Sequence, residues 1–235
     1  RTCRPDIAYA VHRLSSFGAT PNASFSHGLR RLAGYLVGTK SATLILGGHD
    51  GYHTLVPNVV VNVGCEPLVV KQNQPRFETK YVLGRVTRLG LGGPTVDWDV
   101  QLNKAQSQNY THSFLSHFID CHSHAQSMMA LRAEMKIGVH SQLMLSGDCD
   151  VVCEKNVESA PKTIKSACKH ILDANAKDSV VFLTSDTHAL RAGVVTKAMH
   201  QAAWFKLMYN IGVEPGKITF NERTQSYHID IQEWP

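Results

Sequence analysis

The hydrophobic pattern of this chain changes period near residue 43, and that change constrains its architecture more than any other feature. Before it, apolar residues recur at helical spacing. Pro5 suits the first turn of a helix, where its missing N–H costs nothing. Ile7, Val11, Leu14 and Phe17 follow on one face, and Gly18 with Pro21 ends the element. A second helix is predicted from about Ser24 to Val37, with Phe25, Leu29, Leu32, Ala33 and Leu36 as its stripe and Gly38 as its stop. Arg13, Arg30 and Arg31 lie off these stripes and are candidate contacts to nucleic acid or a partner. Two short amphipathic helices cannot bury both stripes on each other, so they need a neighbour.

From Thr43 the pattern becomes period-two or continuously apolar. Thr43–Leu46, Thr54–Val63, Tyr81–Leu89 and Thr95–Val100 are predicted strands, with Gly90–Pro94 as a hairpin connection. A helix is expected over Ser127–Leu145 from Met128, Leu131, Met135, Val139 and Leu143, and another over Lys162–Ala174. Ser179–Thr184 has the composition of a buried strand, His188–Ile211 that of a helix, and Lys217–Phe220 and Tyr227–Ile231 close the chain as strands. The expected fold class is α/β: a short helical unit, then a mixed sheet flanked by helices.

A chain of 235 residues, 43% hydrophobic, has material for one good core or a small helical unit plus one α/β domain. No stretch approaches 18 uninterrupted apolar residues, so no membrane span is expected. The six cysteines are too irregularly spaced for a disulfide scaffold, which points to an intracellular, reducing compartment. A formal charge of +5 permits contact with RNA, DNA or an acidic protein. The first residue is Arg, which suggests a processed product or a piece of something longer.

Arg4-Pro5-Asp6-Ile7-Ala8-Tyr9-Ala10-Val11, Leu14-Ser15-Ser16-Phe17 and Tyr35-Leu36-Val37-Gly38-Thr39 together resemble the end of the reverse transcriptase of copia-type retrotransposons. In that family a ribonuclease H domain follows. Weaker resemblances continue in the family's order. Arg76-Phe77-Glu78-Thr79-Lys80-Tyr81-Val82 is similar to a strand entry, and Leu91-Gly92-Gly93-Pro94-Thr95-Val96-Asp97-Trp98 to the glycine-rich hairpin before the catalytic helix. Gln126 to Leu131 resembles part of that helix, Leu183 to Leu190 a later strand and helix start, and Pro215 to Phe220 the strand after it. Segments near 100–118 and 148–178 look inserted. The resemblance implies residues 1–42 as a helical remnant of the polymerase's C-terminal subdomain and 43–235 as a ribonuclease H-like domain.

Ribonuclease H chemistry uses carboxylates that hold two Mg²⁺ ions about 4 Å apart, and Mg²⁺ requires hard oxygen donors. The family supplies an Asp on the first strand, a Glu in the first helix, an Asp after the fourth strand and a last Asp near the C-terminus. Carried over, these fall on Glu66, Ser127, Asp186 and Asp230. Ser127 is not a ligand for Mg²⁺, so the resemblance implies a site that has lost its catalytic Glu and with it the metal cofactor.

Other constellations compete with this view. Ile119-Asp120-Cys121-His122-Ser123-His124 resembles a strand ending in His-x-His, the arrangement by which hydrolase barrels hold zinc, with His122 and His124 as ligands. Such a barrel usually takes about 250 residues and eight βα units, more than this chain offers. Cys149 and Cys153, with Asp148, Asp150 and Glu154, do not match a standard zinc spacing, and a loop or helix cap is the simpler expectation. Trp98, Trp204 and Phe205 lie in apolar patterns and are expected in the core. The leading expectation is a non-catalytic, retroelement-derived subunit of a larger assembly. Other protein subunits and RNA are its expected partners, in a ribonucleoprotein such as a mitochondrial ribosome after removal of a targeting peptide. The alternatives are an active, Mg-dependent ribonuclease H cutting RNA in RNA–DNA hybrids, and a zinc-dependent hydrolase.

Overall fold

The computed structural model describes residues 4–40, 42–44, 58–68, 80–90, 95–103, 109–135, 142–184 and 191–199, together with 203–204, 207–208, 211, 213–214, 218–221 and 226–229. The chain begins with a 3-10 turn, Pro5–Ile7, then α1 (Ala8–Ser15) and α2 (Ala23–Gly38). Proline opens the turn, and the Asn22 side chain accepts a hydrogen bond from the Phe25 N–H at the start of α2. Next come β1 (Thr43–Leu44), β2 (Val59–Leu68), β3 (Lys80–Leu89), β4 (Thr95–Leu102), the 25-residue α3 (Tyr110–Glu134) and β5 (Leu143–Gly147). A 3-10 turn, Cys149–Val151, leads to α4 (Glu154–Glu158), α5 (Lys162–Ala176), β6 (Val180–Thr184) and α6 (Gly193–Thr196). The closing strands are β7 (Val213–Glu214), β8 (Ile218–Asn221) and β9 (Ser226–Ile229).

Five strands form one sheet in the order β4-β3-β2-β5-β6. β2, β3 and β4 pair antiparallel, whereas β5 and β6 add to β2 in parallel. This is a ribonuclease H-like mixed sheet flanked by helices, behind a short helical N-terminal unit. β-branched residues make β2 the natural centre, with Val59, Val60, Val61 and Val63 all buried. Asn62, buried among them, donates its Nδ2 hydrogen to the Val86 carbonyl at 3.2 Å, so the polar group is satisfied. β1 pairs with β7, and β8 with β9, as separate two-stranded ladders.

The alternation of β2 and β3 distributes two cores. On one face, Val59, Val61, Val63, Tyr81 and Leu83 pack with Phe114, Leu115, Phe118, Cys121 and Ala125 of α3 and with Cys168 and Ile171 of α5. Tyr110, Phe114, Phe118 and Phe182 form a continuous run of ring contacts, with centroids 6.0, 5.9 and 5.3 Å apart. On the other face, Val86 packs with Ala8, Val194, Val195, Leu207, Met208, Ile211 and Val213, and Trp98 and Trp204 lie partly buried against them. Gly64 and Gly84 stand opposite each other in the β2–β3 ladder. A Cβ on Gly84 would lie 2.5 Å from Thr196 Cγ2 and 2.7 Å from Val195 Cγ2, so only glycine lets α6 rest on the strand backbone.

The two segments carrying the polymerase resemblance meet in space. Arg4 pairs with Asp6 at 2.5 Å and donates to the Thr39 carbonyl and hydroxyl at 3.0 and 2.8 Å. The Tyr35 hydroxyl donates to Asp6 Oδ2 at 2.8 Å, and its ring meets Trp204 edge-on at 5.5 Å. The neighbour that the helix pair requires is therefore the domain's own α6 face.

Three expectations are corrected. The stretch Ser127–Leu145 is not one helix: α3 begins at Tyr110 and ends at Glu134, and Leu143 opens β5. Polar residues buried within α3, Ser113, His117 and His122, break the apolar periodicity that would have revealed its first half. His122 and His124 lie in this helix and not at a strand end. Residues 148–178 are no insertion either, because α5 supplies the crossover between the parallel neighbours β5 and β6. Of the predicted helix His188–Ile211, α6 is the principal described part.

Candidate functional site

In a sheet with parallel strands, ligands are received at the strands' carboxyl ends. Here β2 runs on through Val63–Leu68 past its last ladder pair with β5, Asn62 with Ser146. Asp148 follows β5 directly at this edge and is exposed. The Tyr110 hydroxyl, from the first turn of α3, donates to Asp148 Oδ2 at 3.1 Å. Burial, with Asp148 beside it, pushes the Tyr110 phenol well above its usual pKa, so it remains a donor. Asp150 lies two residues on and accepts from the Thr184 hydroxyl at the end of β6, 3.3 Å away. Between them, buried Cys149 directs its thiol at the Leu145 and Leu183 carbonyls at 3.5 and 3.6 Å. Burial raises that thiol to about 12, so it packs as a neutral group.

The strand that should complete a carboxylate cluster offers none on this face. Gly147 lies so close to β2 that a Cβ there would be 2.7 Å from the Val63 carbonyl oxygen. Val63 itself belongs to the α3-side core. Glu66 alternates to the opposite face with Gly64, which abuts α6, and binds Lys197 Nζ at 3.0 Å. Ser127 is exposed in the second half of α3, and its hydroxyl donates to the Ser123 carbonyl at 3.1 Å. It lies 17 residues beyond Tyr110, roughly 25 Å along the helix axis. Glu66 and Ser127 therefore do not meet at Asp148, which corrects their assignment to one site. Asp186 and Asp230 lie outside the described residues. Asp148 occupies the place after the fourth strand of the sheet, where the resemblance puts a carboxylate. Its signal in the sequence, an Asp directly after Leu143–Gly147, was hidden by reading that stretch as helix.

Among the described residues, no three His, Cys, Asp or Glu side chains come together in a group able to hold a metal ion. Asp148 and Asp150 are the hard oxygen donors of this edge, and each already accepts a hydroxyl proton. With Val63 apolar beside them, the described residues do not fit a pair of Mg²⁺ ions.

The histidines are dispersed. Two positions apart on a helix, His122 and His124 project about 200° from each other and cannot share one ion. His122 turns toward α5 and lines a cavity of about 490 Å³ with Gln126, His170, Asp173 and Lys177. This cavity opens beside Leu143 and Val180, the first residues of β5 and β6, at the opposite strand ends from Asp148. His124 Nε2 lies 3.3 Å from Asp97 and 3.1 Å from the Thr87 hydroxyl. Both groups approach the same nitrogen, so the ring cannot relay a proton between them. Arg85 completes that network with Asp97 and Asp99 at 3.1 and 3.2 Å. Cys153 is exposed and buried Cys149 points into the domain, so the Cys149–Cys153 spacing brings no pair of thiols to a metal.

Arg30 and Arg31 are exposed on α2, and Arg13 stands 5.7 Å over the Phe17 ring. No helix among the described residues is long and apolar enough to cross a membrane.

Comparison with known protein families finds no match, and no curated protein is similar. Among solved structures, the NurA nuclease of Sulfolobus solfataricus is similar with a TM-score of 0.31 and 11% identity, over 77% of this chain. The match covers 63% of the nuclease chain, less than two thirds of its length. A likeness of that size carries no argument about activity.

Proposed function

We propose that this chain is a non-catalytic, ribonuclease H-like subunit of a larger assembly, descended from a retroelement polymerase segment. The observation that carries the proposal is the composition of the sheet's carboxyl edge. Asp148 and Asp150 remain there, but β2 presents Val63 and α3 presents an aromatic run where further carboxylates would be needed. Meanwhile the polar residues of the polymerase-like segment, Arg4, Asp6, Tyr35 and Thr39, fasten its first turn to the end of α2, and the Tyr35 ring meets Trp204 of the domain. A ribonucleoprotein, an organellar ribosome included, is the assembly that best suits a +5 chain with exposed Arg30 and Arg31. Partners are then other subunits and RNA, and no bound metal takes part.

The test is incubation of the purified chain with an RNA–DNA hybrid and Mg²⁺. No cleavage above buffer is expected, and Asp148→Asn should change nothing. Cleavage that Asp148→Asn abolishes would replace the proposal with its rival, an active ribonuclease H built around Asp148 and Asp150. The rival is kept because both carboxylates occupy the edge where such chemistry belongs.

A further inference from the structure

α2 meets α1, the first turn and the domain along a narrow edge. Gly28 lets α1 approach so closely that a Cβ there would lie 2.9 Å from Leu14 Cδ2, and Tyr35 reaches Asp6 and Trp204. Those contacts leave the helix otherwise uncovered, and none of its 16 residues is buried. Leu29, Leu36 and Val37 are 48%, 37% and 67% exposed, and Phe17, just after α1, is 36% exposed. With Ala33 they occupy positions i, i+4, i+7 and i+8 of one helix, a sector about 100° wide, which is the width of a helix–helix contact. Arg30, which is exposed, borders the sector next to Val37, whereas Arg31 projects from the opposite side of the helix. The sequence contains no carboxylate from Ile7 to His49, whereas His12, Arg13, His27, Arg30, Arg31 and Lys40 all fall in that stretch. The helix thus presents an apolar stripe with a basic residue at its edge, in a segment whose charged side chains are all of one sign.

From this charge complementarity we infer that α2 docks an amphipathic helix of a partner protein whose apolar stripe is flanked by Asp or Glu. Phosphates would pair with Arg30 but would leave Leu29, Leu36 and Val37 in water, so nucleic acid satisfies only half of the surface. The inference rests on the assembly-subunit proposal and specifies the chemistry of one partner.

The experiment uses the full chain and a fluorescein-labelled 20-residue helical peptide carrying leucines at i, i+3, i+4 and i+7 with glutamates beside them. The same peptide with lysines for glutamates, a single-stranded RNA and anionic phospholipid vesicles are the comparators. Saturable binding of the acidic peptide is expected, weakened about tenfold or more by Leu29→Ser with Leu36→Ser and by Arg30→Glu. The lysine peptide should not bind. Far-UV circular dichroism and thermal melting verify that each variant is folded, and exposed Arg30 supplies a variant that spares packing. Absence of saturable binding by the acidic peptide, or binding indifferent to both the leucine and the arginine variants, overturns the inference. RNA or vesicle binding that depends on Leu29 and Leu36, with no peptide binding, overturns it in favour of that ligand. Hybrid cleavage measured on the same preparations separates the two proposals: peptide binding with cleavage removes only the non-catalytic one, and neither activity removes only the docking one.

Discussion

The Tyr35 hydroxyl donates to Asp6 Oδ2 at 2.8 Å, joining residues 29 apart in sequence that belong to the two segments resembling a polymerase. Asp6 has a fully buried side chain and is compensated by Arg4 at 2.5 Å. Burial and the adjacent carboxylate raise the Tyr35 phenol well above its usual value, keeping it protonated as a donor. Tyr35→Phe should lower unfolding stability by about 1.5–3 kcal/mol, the range for a hydrogen bond to a charged group. Arg4→Met should cost about 3–5 kcal/mol because it strands a buried charge. Urea denaturation monitored by circular dichroism measures both, and equal, negligible effects would mean that the helical unit is not held by this clasp.

Two glycines should respond in opposite directions. Gly84→Val would drive a side chain into Val195 and Thr196, and a loss of about 2–3 kcal/mol is expected from that overpacking. Gly34, in the middle of α2, has nothing within 4 Å of the position its Cβ would take. Gly34→Ala should therefore stabilise by about 0.5–1 kcal/mol through helix propensity. Thermal melts of the two variants against the parent decide the matter.

Acid should destabilise the fold through buried imidazoles. His117 donates from Nε2 to the Gly84 carbonyl at 2.9 Å, and burial lowers its pKa from 6.5. Burial lowers that of His122 as well, followed by the neighbouring His170. A depressed histidine leaves stability untouched above the unfolded pKa. As pH falls below 6.5, the unfolded chain takes up a proton that the folded chain refuses, and stability declines by up to about 1.4 kcal/mol per pH unit for each such group. Urea midpoints between pH 7.5 and 5 should fall accordingly, with a shallower slope in His117→Gln.

Thiol accessibility should separate the cysteines. Among the five described, Cys153 is exposed while Cys65, Cys121, Cys149 and Cys168 are buried. Burial pushes Cys65 up to about 12 and Cys168 to about 11. Brief treatment of native protein with iodoacetamide should modify Cys153 and spare those four, as read by peptide mass spectrometry. Their simultaneous labelling without denaturant would contradict the packing of the α3 side.

The sequence discloses elements whose pattern matches their burial. β3 and β4 fall close to their predicted spans, and α5 shows its stripe through Cys168 and Ile171. α3 is the principal failure, because its buried face mixes Phe114 and Phe118 with Ser113, His117 and His122. Ser113 and His117 are satisfied by specific partners, His117 by the Gly84 carbonyl, and no periodicity anticipates a partner 33 residues away. The candidate site suffers with it, since a helix over Ser127–Leu145 puts the helix carboxylate at Ser127 and conceals the strand that Asp148 follows. The face chosen by Glu66 was equally hidden, since a shift of one residue in β2 exchanges the α3 side for the α6 side.

The helices at the start of the chain are seated on groups that arrive near its end. Ala8 shares a core with Val194, Val195, Leu207 and Met208, and the Tyr35 ring meets Trp204. A polypeptide made from its first residue onward must therefore carry α1 and α2 through synthesis of the whole sheet before their platform exists, and helices of 8 and 16 residues have little stability alone. Helices translated ahead of the sheet are the last part to settle on it, so any nascent-chain chaperone would meet these two helices while they are still unmoored.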